Sequence, residues 1–280
     1  MDEVRVGGLR IAYERAGEGP PLVLLHGWPL NSREWRRQID DLSDEFTVVA
    51  WDTPGCGRSS DPPETFGLSD YADHLAGFID ALGLGRPHVA GLSFGGGLAL
   101  ELYRRHPTVP RSLILASAYA GWAGSLPAEV VEQRLRRSRW ESELPPDEFA
   151  RTWIATLVAE SAPAEMTAEL VAILSEFHPA GYRTWGRAFA EADLRDVLPR
   201  IDVPTLLLYG DKDVRAPLAV ARQLHASIPA SKLVVFPGVG HMVDAEAPER
   251  FNAEVREFLR SVESQADGTK VRRLLAADPG

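Results

Sequence analysis

The chain has 280 residues, 45% of them hydrophobic and 25% charged, with a net charge of −10. That length supports one large core or a core carrying an insertion, and the acidity speaks against a nucleic-acid or anionic-membrane surface. One cysteine, Cys56, excludes an internal disulfide, and no apolar run reaches the length of a membrane span. Met1-Asp2-Glu3-Val4 opens without the apolar stretch of a signal peptide. The expectation is a cytoplasmic protein, monomeric or homodimeric, with a small molecule rather than a nucleic acid or membrane as its partner.

In chain order, residues 3–5 and 9–14 flank Gly7-Gly8 and predict a β-hairpin. Residues 21–25 form a short continuous apolar run, the pattern of a buried parallel strand. A helix is predicted over 31–42, with Asn31 or Ser32 as N-cap, then a strand over 46–50 and a helix over 68–82 ending at Gly83. Strands follow at 87–90 and 112–116, with a helix between them from Ser93 to the turn before Pro107. Further strands at 203–208 and 232–236 enclose a helix around 218–227. A last helix covers 247–262, with Pro248 placed as at a first helical position. Such alternation predicts a mostly parallel sheet with helices on both faces.

One stretch breaks the alternation. Residues 121–191 hold helical patterns and no convincing strand, and they carry Trp122, Trp140, Trp153 and Trp185, four of seven tryptophans. They read as a helical cap inserted above the sheet. Packing between cap helices accounts for any one of these tryptophans, but a cap whose lower face lines a substrate pocket needs some of them there. The expected division is core 1–120, cap 121–191, core 192–262 and a polar tail 263–280, with a coil or a short helix near 271–276. The run Arg134, Arg136, Arg137, Arg139 reads as a solvated helix face.

The chemistry centres on Gly91-Leu92-Ser93-Phe94-Gly95. The bare pattern arises by chance in roughly one chain in ten of this length, so its setting decides. Here a strand leads in and a helix leads out, as a nucleophile elbow requires. A serine hydroxyl needs a base to take its proton. His241 is the candidate, in the loop Gly238-Val239-Gly240-His241 that follows a strand. His74, His88, His106, His178 and His225 fall where surface or packing roles are expected. The base needs an acid to fix its tautomer, and Tyr209-Gly210-Asp211-Lys212-Asp213 holds two. Asp213 is preferred, being further out in the loop; Asp211 is expected to hold the turn. The oxyanion needs two backbone donors. Phe94 N–H at a helix N-terminus is one, and Trp28 N–H in His26-Gly27-Trp28-Pro29 is the other.

These motifs, with Leu25-His26-Gly27-Trp28 and the turn Asp52-Thr53-Pro54-Gly55-Cys56-Gly57-Arg58-Ser59, span residues 20–260. On them the chain resembles the α/β-hydrolase fold superfamily, in the serine branch with a helical cap. The resemblance implies an eight-stranded sheet, the cap, and a Ser93–Asp213–His241 triad in that family's chain order. Residues 26–30 and the triple glycine 95–97 are similar to cofactor-free haloperoxidases and aryl esterases; residues 193–213 and 229–251 are similar to enol-lactonase-type hydrolases. Serine at the elbow sets the chain apart from haloalkane dehalogenases and epoxide hydrolases, which carry aspartate there. Leu92 stands where carbon–carbon bond hydrolases commonly have asparagine. The expected activity is hydrolysis of a small to medium carboxylic ester or lactone through an acyl-enzyme, with no cofactor and no metal. Perhydrolysis, carbon–carbon hydrolysis and a ligand receptor on the same fold are the alternatives.

Overall fold

A computed structural model describes the backbone of residues 1–276 and the side chains of 1–265. The strands are β1 (Asp2–Val6), β2 (Leu9–Ala16), β3 (Pro21–Leu25), β4 (Thr47–Trp51), β5 (His88–Leu92), β6 (Ser112–Ala116), β7 (Thr205–Gly210) and β8 (Ser231–Phe236). They form one eight-stranded sheet in the order β1-β2-β4-β3-β5-β6-β7-β8. β1 and β2 pair antiparallel, as does β2 with β4; every other pairing is parallel. The five strands from β4 across to β7 are buried along their whole length apart from Pro21, which explains their unbroken apolar runs.

The core helices are α1 (Arg36–Leu42), α2 (Leu68–Ala81), α3 (Phe94–Arg105), α8 (Leu218–Ser227), α9 (Val243–Glu246) and α10 (Pro248–Ala276). α1 packs with α10, and α2 with α3, so helices flank the sheet. The helix predicted from residue 31 begins instead as a 3-10 turn, Ser32–Trp35, capped by the Asn31 side chain on the Arg33 N–H. α9 is too short for its apolar period to register in sequence. α10 runs on through the segment expected as a tail. Glu263 explains the continuation locally: it accepts from buried His88 Nε2 at 3.0 Å and pairs with Arg111, fastening the helix to β5 and the start of β6. Residues 277–280 lie outside the described residues.

Between β6 and β7 come four helices and no strand: α4 (Ala128–Glu141), α5 (Pro146–Leu157), α6 (Ala164–Leu174) and α7 (Pro179–Glu191). Pro146 and Pro179 open α5 and α7 at the position where a missing N–H costs nothing. Arg33–Glu176 and Arg37–Glu169 ion pairs tie the inserted helices to the chain after β3.

Strand order reverses at β3. Its successor β4 lies on one side and β5 on the other, so the loops leaving β3 and β5 diverge from neighbouring strand ends. Crevices at such switch points are where parallel sheets keep their sites.

Candidate active site

Ser93 leaves β5 at φ 52°, ψ −109°, a conformation side chains rarely adopt. Its neighbours make the turn possible. A Cβ on Gly91 would come within 2.2 Å of the Gly95 carbonyl carbon, and one on Gly95 within 2.1 Å of the Leu25 carbonyl oxygen. Glycine at both places lets α3 start hard against β3 and β5. The Ser93 N–H donates to Ala116 O at 2.7 Å, pinning the turn to the end of β6.

The loop after β3 is braced from within. Thr53 N–H donates to His26 Nε2 at 3.0 Å, so His26 carries its proton on Nδ1, which donates to Gly27 O at 2.9 Å. Burial pulls the imidazole below its ordinary pKa, and it stays neutral. Gly27 N–H donates to Glu34 Oε2 at 2.9 Å. The next N–H, that of Trp28, has no acceptor among the described residues. Phe94 N–H is in the first turn of α3, where helical N–H groups lack intrahelical partners.

Behind this loop sits a pair of buried acids. Glu34 Oε1 and both Asp244 carboxylate oxygens are buried without hydrogen-bond partners. Burial, with the neighbouring Asp244 charge, pushes Glu34 well above the usual carboxylate range; burial pushes Asp244 up to about 7.

Asp213 and His241 meet. His241 Nδ1 and Asp213 Oδ2 are 2.8 Å apart, both buried. Asp213 Oδ1 accepts from the Arg215 and Ala216 N–H groups, each at 2.8 Å. Burial alone would raise this carboxyl, but the His241 imidazole and those N–H groups outweigh it and hold Asp213 below the usual range. Asp211 is exposed and accepts from Gly238 N–H at 2.7 Å, closing the turn between the two loops.

Sequence reasoning missed two groups that hold the histidine loop. Ser117 Oγ donates to His241 O at 2.9 Å. Glu246 accepts from Gly240 N–H at 3.0 Å and from Ala159 N–H at 2.9 Å, linking the loop to the segment after α5. Ser117 directly follows a strand at the carboxyl edge of the sheet, which was the available signal; Glu246 offered none. Asp52, in the glycine-rich turn, accepts from Ser32 and Arg58 N–H groups at 2.8 Å, and burial pushes the Cys56 thiol up, so that turn is a brace.

The four inserted tryptophans have different environments. Trp122 and Trp153 meet the Trp28 ring edge-on at 5.9 and 5.1 Å, and Tyr182 stacks on Trp28 at 4.2 Å. Trp28, Trp122 and Trp153 line a cavity of about 160 Å³. A second cavity, about 530 Å³, reaches His241 and shares Thr156 and Val214 with the first. Trp185 is fully buried, donates to Pro54 O at 2.8 Å and packs on Phe94. Trp140 is 54% exposed and is not part of the cavity wall. Among the described residues no cluster of three or more His, Cys, Asp or Glu side chains is placed to hold a metal ion, and no helix is long and apolar enough to cross a membrane.

A family model described as the alpha/beta hydrolase fold matches residues 20–248, and the chain belongs to that family. It is similar to a thermophilic esterase from Thermogutta terrifontis, solved with malate bound, at 32% identity and a TM-score of 0.86, covering 94% of this chain and 99% of that one. The enol-lactonase from Burkholderia xenovorans LB400 is 25% identical with a TM-score of 0.83, covering 92% of this chain and all of that one. The AB hydrolase superfamily protein YisY of Bacillus subtilis is 32% identical over 254 residues, 89% of this chain and 94% of that protein. Esterase and lactonase neighbours support hydrolase activity.

Proposed function

We propose that the protein is a serine hydrolase acting on a carboxylic ester or lactone. The observation that carries this reading is the buried Asp213–His241 hydrogen bond, on a loop tied through Ser117 to the same strand end that pins the strained Ser93 turn. Ser93 Oγ attacks the carbonyl carbon while His241 Nε2 takes its proton. Asp213 holds the imidazole with Nδ1 protonated and stabilises the imidazolium. Trp28 and Phe94 N–H groups receive the developing oxyanion. The tetrahedral species collapses, His241 returns the proton to the leaving alkoxide, and the acyl group stays on Ser93. Water, deprotonated by the same imidazole, then releases the acid and restores the serine. In a lactone the leaving alcohol remains attached to the acyl group and departs with it.

The segment between β6 and β7, with helices α4 to α7, acts as a cap that selects the substrate, since its Trp122 and Trp153 reach the loop that carries Trp28. The esterase and enol-lactonase among the neighbours favour an ester or lactone as substrate. Time courses on 4-nitrophenyl esters of graded acyl length and on simple lactones test the reading. Many turnovers per protein molecule are expected. Release of one equivalent followed by arrest would instead identify a receptor-like protein.

A further inference from the structure

The arginine run that reads as a solvated face divides in the fold. Arg136 pairs with Glu132 in solvent, and Arg137 Nε donates to Glu141 Oε1 at 2.7 Å. Arg134 turns inward: Nη1 donates to Tyr119 OH at 3.2 Å, Nη2 donates to Arg215 O at 2.9 Å, and the guanidinium lies 5.3 Å from the Trp122 ring centre. Arg215 comes from the opposite wall. Its guanidinium lies 4.1 Å from the Trp153 ring centre and donates to Thr156 Oγ1 at 2.8 Å. Among the described residues neither Arg134 nor Arg215 has a carboxylate partner. Glu141, the acid in the cavity wall, is already committed, Oε1 to Arg137 and Oε2 to Tyr182 OH at 2.5 Å. Three guanidiniums against one carboxylate therefore line a cavity walled by tryptophan, in a chain whose net charge is −10.

Arg134 and Arg215 are both half-buried. Withdrawing even part of a guanidinium from water without a counter-charge is costly, and the two unpaired ones also repel each other. Burial pulls the Arg215 pKa down, consistent with a cation short of compensation. Both keep N–H donors free beyond the bonds described, in the planar fork that matches a carboxylate. Two residues of the cavity wall also belong to, or are held by, the proposed catalytic machinery. Arg215 N–H is held by Asp213, and Trp28, whose N–H is assigned to the oxyanion, is part of the wall.

We propose that this cavity receives an anionic group carried by the substrate, so that the preferred substrates are esters or lactones bearing a second, ionised acid group. Arg134 and Arg215 bind that group, and Trp28, Trp122 and Trp153 enclose the apolar chain between it and the reacting carbonyl. The inference rests on the ester-hydrolase reading above.

The test compares 4-nitrophenyl hydrogen glutarate with 4-nitrophenyl valerate, esters of equal acyl length that differ in a terminal carboxylate. The wild type should favour the glutarate ester in kcat/KM by about tenfold or more, against the repulsion of an acidic protein. Arg134→Gln and Arg215→Gln should collapse that ratio mainly through KM, Arg215→Lys should keep part of it, and Arg134→Glu should invert it. A wild-type ratio at or below one, with both esters turned over, overturns this inference and leaves the hydrolase reading standing. If neither ester is turned over, the hydrolase reading has failed, and tryptophan-fluorescence titration with glutarate decides the anion site. Saturable quenching that is lost in Arg134→Gln supports it, and no saturable quenching overturns it.

Discussion

Ser117 donates its hydroxyl to the carbonyl oxygen of His241 at 2.9 Å, while the preceding residue, Ala116, accepts the N–H of Ser93 at 2.7 Å. Two consecutive residues at the end of β6 thus fix the relative positions of the serine turn and the histidine loop. Ser117→Ala should lower kcat several-fold rather than abolish turnover, and should destabilise the fold by about 1–2 kcal/mol, since it leaves the buried His241 carbonyl without its donor. Unchanged kcat and unchanged melting temperature would show that the tie does not position His241.

Asp213→Asn should be far more damaging than Asp211→Asn. An asparagine amide facing Nδ1 favours the wrong imidazole tautomer, which cost about 10⁴ in rate in another triad. Asp211 only closes a surface turn onto Gly238 N–H. Steady-state kinetics of the two variants check this, and a crippled Asp211→Asn beside a mild Asp213→Asn would reverse the assignment.

The buried acids Glu34 and Asp244, behind the loop after β3, should make stability depend on pH. Asp244 moves from an ordinary 3.8 up to about 7, and Glu34 moves the same way. A raised carboxyl holds its proton in the folded state after the unfolded chain has released it. Stability therefore falls as pH rises from about 4 to 7, by up to about 4 kcal/mol for Asp244. Asp244→Asn removes that titration. Its melting temperature should exceed that of the wild type at pH 8, with the gap closing toward pH 4. Parallel melting curves across that range would contradict it.

The tryptophans should separate into two groups. Trp122→Ala and Trp153→Ala should reorder preference along an ester series, because both rings wall the cavity beside Trp28. Trp185→Ala should mainly cost stability, about 3–5 kcal/mol for a fully buried ring. Trp140→Ala should do neither, its side chain being half in solvent. An unaltered ranking in both cavity variants would remove the specificity role from this segment.

The parts legible in the sequence were those with local causes. The Ser93 turn could be read because close approach demands glycine at 91 and 95, and the histidine loop because a strand ends immediately before it. The order of strand types followed from continuous apolar runs. What escaped depended on the fold as a whole. Arg134 differs from Arg136 in nothing but the side of α4 it occupies, so a run of arginines reads as solvent-facing until Arg215 is seen opposite. The last helix reads as ending at Val262 because the residues beyond are polar, yet Glu263 meets His88 and Arg111, partners over 150 residues away in the chain. Glu246 and the Glu34–Asp244 pair act through backbone and burial contacts that no spacing announces.

The most direct test of the account is the turnover of Ser93→Ala on 4-nitrophenyl butyrate, with circular dichroism confirming the fold. In the proposed mechanism the nucleophile and its base act as a unit, so the variant should lose about 10⁴ or more of wild-type kcat. A correctly folded, pure Ser93→Ala protein that kept more than about a hundredth of wild-type turnover would contradict the account, because Ser93 would then not be the residue that attacks the ester.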